Sequence, residues 1–542
     1  MRLTGLKRRL AIGTVLWAAL ISGGALAQNM DKLPPSLLLN EFLVEGNTVL
    51  SKAVIERAVA DYLGPDRKLD DVYAAQDALA KEYETAGYVS ASVRAVRLDP
   101  VDTEWGKAWV VVLQVVEGRV ERLKVTGAEY NAPSEVKDKT PSVAEGVVPH
   151  FPSLQKDLAK VAGMSDVVVT PVLRPGRDPG TMEVELKVED KLPLHGWAQL
   201  SNEQSPDTTP RRLELGMRYD NLFQAQHSLS LRYISTPLNT DEIKVAALSY
   251  SLPFGGGDDR MTLYLVRSDS NVMTDTGTGV VGKGTTFGIR QSKTLPGKEG
   301  DEKSGDFERV SYGADFKQLG EVSDATGSKP VRYLPFSVQY IGMFPDGSGR
   351  WQLSSTLTSS FSGIMDRKVD CGSGREIDQF DCRRTGATSS FLTWGSSIKR
   401  EQNFGRWIVQ GRLNFQFASS PLLSSEQFYI GGSDSVRGYY QSEAGGDDGA
   451  NASLEIYTPR LTPESWTWSA KLLAFVDTGW VRTQQPLPGQ VSDYRLIGKG
   501  LGMRMEFSKH LTGSLDWGRA LLPGPRSKDH ASRLNAEVKA EF

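Results

Sequence analysis

The chain has 542 residues, and its 63 basic and 66 acidic side chains give a formal net charge of −3. No concentrated basic patch stands out, so we expect no nucleic-acid partner. The five histidines form no ligand-like cluster, and the chain contains no G-x-S-x-G, H-E-x-x-H or P-loop pattern. We therefore expect no catalytic residue, no metal and no cofactor.

Residues 1–27 have the pattern of a secretory signal peptide. Basic residues precede an apolar stretch that ends near Ile21, and Ala25-Leu26-Ala27 supplies the small residues of a cleavage site. An N-terminal membrane anchor is the alternative, which the short apolar stretch disfavours. A short segment, 28–37, follows. No later stretch offers the roughly 20 apolar residues of a membrane helix, although a closed barrel could still span a membrane.

Residues 38–117 and 118–190 are predicted to form two small α+β domains. In the first, the order is strand, helix, helix, strand, strand, at about 41–46, 51–63, 71–86, 88–97 and 108–116. The second domain repeats this order, but Pro133 and Pro141 interrupt the segment that should form its first helix. Ordinary α+β domains without a special role would fit the same pattern.

From 195 to 542, apolar and polar residues alternate in one segment after another. "HSLSLRYIS" (227–235) and "LGMRMEF" (501–507) are examples, and roughly sixteen such strands can be counted. The predicted fold is therefore two α+β domains followed by an all-β, 16-stranded transmembrane β-barrel. A soluble sandwich would also alternate. Charged residues on the polar faces, connections of alternating length and the final aromatic residue, Phe542, favour the barrel.

Both cysteines of the chain, Cys371 and Cys382, lie in one predicted outer loop. In an oxidising compartment we expect them to form a disulfide. Two thiols without a nearby histidine make a poor metal site.

Two segments of the predicted barrel carry short motifs. The first is V-R-G-Y in an outer loop, and the second is F-x-D-x-G in a strand; together they comprise Val436, Arg437, Gly438, Tyr439, Phe475, Asp477 and Gly479. A period of two places the three residues of the second motif on one strand face. Because an aspartate facing lipid is costly, we expect that face to line the lumen.

These motifs resemble those of the two-partner secretion transporters (TpsB), the ShlB/FhaC/HecB family. "FLVEGNT" (42–48) and "VLRPGRDPGTMEVELKV" (172–188) resemble its polypeptide-transport-associated (POTRA) domains. The resemblance implies an outer-membrane protein with periplasmic N-terminal domains, which secretes, or secretes and activates, a haemolysin-like or adhesin-like exoprotein. The implied partners are this unfolded, β-rich exoprotein, outer-membrane lipid and the barrel assembly machinery, which would engage Phe542.

The resemblance further implies that the loop folds into the lumen and that Arg437 pairs with Asp477. An arginine can form a forked bond to a carboxylate, and Gly438 allows a close backbone turn. In a water-filled lumen we expect this pair to contribute about 1 kcal/mol, as a surface ion pair does, and to fix the loop position. A solvated loop beside an incidental luminal charge is the alternative interpretation.

Three other functions are weighed against export. A BamA-like assembly factor shares both motifs, but the main insertase carries more POTRA domains than this chain has room for. A passive porin would not explain the N-terminal α+β domains. An enzyme is disfavoured because the sequence shows no set of catalytic residues.

Some relatives have an N-terminal helix that plugs the pore, and the short stretch after Gln28 leaves little room for one.

Overall fold

The computed structural model describes residues 34–542 except 105, 165, 241, 256–257, 270–271, 274–278, 281–282, 296–304, 321–329, 366 and 371–373. The predicted signal peptide and most of the segment 28–37 lie outside the described residues. The chain divides into two units after Leu192. In the described part of the chain, no helix has the length and apolar character needed to cross a membrane.

The front unit begins with a module of four strands and two helices. Its elements are β1 (Leu37–Glu45), α1 (Lys52–Ala60), β2 (Gly64–Arg67), α2 (Leu69–Thr85), β3 (Ala91–Thr103) and β4 (Gly106–Glu117). The sheet order is β2-β1-β4-β3, with β1 parallel to β4. The apolar stripe of α2, which includes Leu79 and Tyr83, is fully buried against this sheet. Strand β2 was not predicted, because four residues are too few to show a period.

The second module repeats the arrangement in a smaller form. It contains β5 (Arg119–Thr126), α3 (Pro133–Asp138), α4 (Phe151–Ala162), β6 (Val167–Pro175) and β7 (Thr181–Asp190), in the sheet order β5-β7-β6. The expectation that Pro133 interrupts the first helix is wrong. Pro133 begins α3 at a position where a backbone N–H is not needed. Pro141 starts a single 3₁₀ turn, Pro141–Val143, after α3 has ended.

The second unit is a closed antiparallel barrel of sixteen strands, which confirms the predicted fold. The strands are β8 (Leu194–Ser201), β9 (Arg212–Leu222), β10 (His227–Ser235), β11 (Lys244–Pro253), β12 (Arg260–Asp269), β13 (Lys283–Thr294), β14 (Phe307–Gly320), β15 (Val331–Tyr333 with Phe336–Asp346), β16 (Gly349–Ser360), β17 (Phe391–Phe404), β18 (Trp407–Ala418), β19 (Asp448–Tyr457), β20 (Ser469–Arg482), β21 (Asp493–Ser508), β22 (Leu511–Ala520) and β23 (Ser532–Glu541). The ring closes where β23 pairs with β8. Closure matters because an unpaired strand edge is very unfavourable in hydrocarbon.

Alternation along the strands separates an apolar outer face from a polar inner face. On β9 and β10, Leu215 and Leu231 point outward and are exposed. On the opposite face, both oxygens of Glu214 accept hydrogen bonds from Arg232, each at 2.8 Å. The outer surface therefore suits lipid, and the inner surface suits water and charge.

Candidate functional site

The V-R-G-Y motif lies in the connection between β18 and β19, residues 419–447, here called the motif loop. Its tip packs against the inner face of the barrel wall, and the side chains of Val436, Arg437 and Tyr439 are buried. The wall at this point includes β20, on which Phe475 and Asp477 are buried. The intervening β20 residues alternate to the exposed outer face. The tip therefore occupies part of the lumen.

Arg437 and Asp477 are brought together as a forked ion pair. Arg437 Nε donates to Asp477 Oδ2 at 2.7 Å, and Arg437 Nη2 donates to Asp477 Oδ1 at 2.9 Å. The backbone N–H of Arg437 also donates to Asp477 Oδ2, at 3.1 Å. Ser453 Oγ donates to Asp477 Oδ1 at 2.6 Å. Each oxygen of the carboxylate thus has at least two donors.

Arg437 is enclosed by further acidic and aromatic groups. Its Nη2 lies 2.7 Å from Glu455 Oε1, and its Nη1 lies 3.9 Å from Asp516 Oδ2. Asp516 is itself bound by Arg504, at 2.7 and 2.9 Å. The guanidinium carbon of Arg437 lies 3.4 Å from the ring centre of Phe475, which is a cation–π contact. Two arginines therefore share three carboxylates at this site.

The expectation of a solvated, weak pair is wrong. The side chains of Arg437 and Asp477 are 2% and 0% exposed, because the motif loop itself excludes water from this part of the lumen. Removing one member of a buried, hydrogen-bonded pair typically destabilises a structure by about 3–5 kcal/mol, since the other charge is left unpaired. The pair is therefore a strong determinant of where the tip lies.

Glycines allow the loop backbone to approach the wall closely. Gly438 has a φ of +100°, and a β-carbon there would lie 2.7 Å from the backbone nitrogen of Ala520. On the wall, a β-carbon at Gly518 would lie 2.6 Å from the nitrogen of Gly438, and one at Gly479 would lie 2.9 Å from Val436 Cγ2. A side chain at any of these positions would push the tip away from the barrel.

Two further residues fix the tip. The hydroxyl of Tyr439 lies 3.0 Å from the carbonyl oxygen of Ile497 and 2.7 Å from that of Leu522. The carboxylate of Glu443 accepts bonds from the backbone N–H groups of Arg526 (2.8 Å) and Ser527 (2.6 Å), in the connection between β22 and β23. The tip is thus bound to β21 and to a neighbouring loop as well as to β20.

Sequence reasoning did not identify Ser453, Glu455, Asp516 and the wall glycines 498 and 518. A signal for the first two was present in the sequence, because Ser453 and Glu455 alternate with the apolar Leu454 and Ile456 in β19 and therefore face the lumen. The structure pairs them with Asp477 and Phe475 of β20. The glycines at 498, 500 and 502 also recur with a period of two on one strand face. Such a row of glycines indicates a place where another backbone approaches.

The remaining predicted residues lie elsewhere. Cys371 lies outside the described residues, so its pairing with Cys382 stays a prediction. Phe542 follows β23 and exchanges backbone hydrogen bonds with Gly196 of β8, with N···O distances of 3.0 and 3.2 Å. Its ring covers Gly196, where a β-carbon would collide with it. The last residue therefore contributes to the seam at which the barrel closes.

Comparisons with known proteins agree with this architecture. Residues 350–505 match the family "Haemolysin secretion/activation protein ShlB/FhaC/HecB", and residues 37–118 match the "POTRA domain, ShlB-type". These matches support a two-partner secretion transporter, with a ShlB-type POTRA domain ahead of a barrel whose second half resembles the ShlB/FhaC/HecB family. Together with the relatives described next, they place the barrel in the outer membrane and the POTRA domain in the periplasm, as predicted.

The individual proteins that this chain resembles are distant in sequence. An outer membrane transporter CdiB from Dickeya dadantii (strain 3937) is 23% identical over 426 residues, covering 77% of this chain and 71% of the relative. The solved structure of CdiB from Escherichia coli has a TM-score of 0.62 and 20% identity, covering 95% of this chain and 92% of that one. A BamA structure from Haemophilus ducreyi that lacks POTRA domains 1–3 has a TM-score of 0.56 at 13% identity, covering 93% of this chain and 100% of that one. These structures share the fold.

Proposed function

We propose that this protein exports a partner exoprotein through its barrel and that the Arg437–Asp477 pair holds the motif loop in the lumen between export events. The observation that carries the proposal is the burial of this ion pair, which joins a loop to the wall of an otherwise water-compatible channel. A polypeptide that passes beside β20 has to displace the tip. The pair therefore acts as a latch.

The front unit suits the capture of an unfolded, β-rich chain. Strand β3 is one of the two edge strands of its sheet, the other being the four-residue β2, and the segment 91–99 of β3 contains no proline. An unpaired edge offers backbone donors and acceptors to any extended segment, so recognition can tolerate many sequences. The edge strand β6 of the second module carries Pro171 and Pro175, and proline limits pairing. The other edge strand of that module, β5, is shorter than β3, and Val120 on it already exchanges backbone hydrogen bonds with residues 146 and 147. We therefore propose β3, the longest edge strand of the front unit, as the main edge for capture.

Assembly of the protein is proposed to depend on its last strand. β23 ends in Phe542, whose ring is exposed on the outer side of the barrel. An exposed aromatic residue at a free strand end is available to the barrel assembly machinery before the seam with β8 closes. Outer-membrane lipid then surrounds the finished barrel.

The latch is tested by replacing Arg437. Arg437→Ala should lower the amount of partner exoprotein in the medium at least tenfold, because a tip that has lost the cation shared by three acidic groups no longer takes the fixed position from which export starts. Arg437→Lys should recover part of this loss, since lysine restores the charge but not the fork. The measurement is immunoblotting of the medium against the cell fraction, with heat-modifiability on gels showing that the barrel is inserted.

Arg218→Ala is the matched control. Arg218 is a half-exposed barrel arginine that bonds to Asp220 at 2.9 Å and does not touch the motif loop. The Arg218→Ala variant should export the exoprotein normally. Normal export by Arg437→Ala in an inserted barrel would refute the latch.

A further inference from the structure

A second buried ion pair binds the motif loop at its base. Asp447 is the last residue of the motif loop, and its side chain is 0% exposed. Arg384 comes from the connection between β16 and β17, residues 361–390, here called the cysteine loop. Both terminal nitrogens of Arg384 donate to the Asp447 carboxylate, with Nη2 at 2.6 Å from Oδ2. This is the forked geometry in which arginine and carboxylate bind most firmly.

The same carboxylate joins three loops. Asp447 accepts bonds from the backbone N–H of Leu422, at 2.9 Å, and from that of Gln484, at 2.7 Å. Leu422 belongs to the first limb of the motif loop, residues 419–430, and Gln484 to the connection between β20 and β21. Arg384 in turn donates to the carbonyl oxygens of Leu422 and Gln484. Burial raises the pKa of Asp447, but these bonds outweigh it and hold the pKa below its ordinary value.

The first limb of the motif loop is also attached to a second part of the barrel wall. Lys317 on β14 donates to Glu426 at 2.6 Å, and both side chains are nearly buried. Leu422 and Leu423 lie in an apolar cluster with Phe380 and Ala387 of the cysteine loop. These contacts are separate from those of the tip, which involve β19 to β22. Freeing the tip alone would therefore leave the loop held at its base.

We propose that Arg384 is a positioning residue for the motif loop, and that the Arg384–Asp447 pair must open together with Arg437–Asp477 before the loop leaves the lumen. This proposal rests on the proposed function, because it takes the loop to be the gate of the pore. It assigns the cysteine loop a specific role, which is to hold the base of the gate through Arg384.

The test measures channel opening by the purified full-length protein in planar lipid bilayers without any exoprotein. Arg384→Ala should raise the fraction of time spent in the large-conductance state about tenfold or more, since it leaves a buried carboxylate without its charged partner. Arg384→Lys should give an intermediate value, because it restores the charge without the fork. Asp447→Asn, which preserves the shape of the side chain, should also raise opening.

Arg350→Ala is the matched control. Arg350 pairs with Glu401 at 2.9 Å on β16 and β17, the two strands that flank the cysteine loop, but at their other end. The channel of the Arg350→Ala variant should open as rarely as that of the unmodified protein. Heat-modifiability of each variant shows that the barrel is folded. The combination of Arg384→Ala with Arg437→Ala should open more than either single variant, because two separate attachments are removed.

The results separate the two proposals. If Arg437→Ala raises opening and both Arg384→Ala and Asp447→Asn leave it unchanged, the role of Arg384 is refuted while the latch stands. If Arg437→Ala leaves opening unchanged as well, the gating part of the proposed function fails. Should Arg384→Ala not fold, Arg384→Lys and Asp447→Asn decide the matter by the same readout.

Discussion

A buried guanidinium at the tip of a loop is the residue-scale feature on which the mechanism depends. Arg437 is surrounded by Asp477, Glu455 and Asp516 and lies against Phe475. A charge removed from water is unfavourable unless it is fully paired, so this position accepts few other side chains. The sequence predicted the residues of the pair through the two motifs. It did not predict their burial, because burial depends on how the whole loop fills the lumen.

Gly438 provides a test that does not change any charge. Gly438→Ala places a β-carbon 2.7 Å from the backbone of Ala520 at a φ of +100°, a backbone conformation that costs a non-glycine residue roughly 1–2 kcal/mol before any collision. We expect export to fall severalfold while the barrel still inserts. Export of a tagged exoprotein into the medium is the measurement.

The control for this substitution is Gly405→Ala. Gly405 has a φ of +60° in the turn between β17 and β18, and a β-carbon there would contact nothing within 4 Å. Gly405 also has a positive φ but lacks the collision, so the Gly405→Ala variant should export normally. Equal export by both variants would show that close approach of the tip to the wall is unimportant.

At the scale of elements, alternation was a reliable guide to the barrel strands, because one face must be apolar and the other polar. Helix prediction was also sound where an apolar stripe recurs, as in α2. The short elements β2 and α3 were missed or doubted. Their positions depend on local backbone geometry and on packing between strands that are far apart in the sequence. A segment of four to six residues is too short for its hydrophobic pattern to indicate a helix or a strand.

Asp190 at the end of β7 stabilises the second module. Its carboxylate accepts bonds from the backbone N–H groups of Glu129, Tyr130 and Asn131, at 2.8 to 2.9 Å. Burial raises the pKa of Asp190, but these bonds outweigh it and lower the pKa overall. A carboxyl whose pKa is depressed by folding stabilises the fold above its ordinary pKa. That stabilisation is lost as the pH falls through the depressed value.

We therefore expect Asp190→Asn to lower the stability of a soluble fragment, 34–192, by about 1 kcal/mol at pH 7. The difference from the unmodified fragment should shrink at pH 3 and below. Thermal unfolding followed by circular dichroism measures both effects. Asp138→Asn, at an exposed position on α3, should change neither. A difference that is as large at pH 2 as at pH 7 would contradict the assignment.

The seam between β23 and β8 gives a further prediction. Phe542→Ala removes the ring that covers Gly196 and leaves a shorter apolar end on the last strand. We expect a smaller fraction of the protein to reach the heat-modifiable, inserted state. Phe404→Ala, which removes another exposed aromatic residue at a strand end, is the control. An unchanged inserted fraction for Phe542→Ala would argue against a role for the last residue in assembly.

At the scale of the whole molecule, the chain combines open sheets in its front unit with a closed barrel in its second unit. The front modules offer strand edges to a polypeptide, whereas the barrel has no free edge once β23 pairs with β8. The proposed function therefore assigns capture and passage to different units. The sequence predicted this division, because helical periodicity ends near 190 and strict alternation begins. The attachment of the motif loop at its tip and base could not be predicted, since it joins residues that are distant in the sequence.

The same architecture would serve an assembly factor for other barrels, and the shared fold with BamA does not separate the two functions. Depletion of this protein from its own cells separates them most directly. We predict that the partner exoprotein disappears from the medium while the levels of other outer-membrane proteins stay normal. A broad loss of outer-membrane proteins, or undiminished export of the exoprotein, would contradict the account.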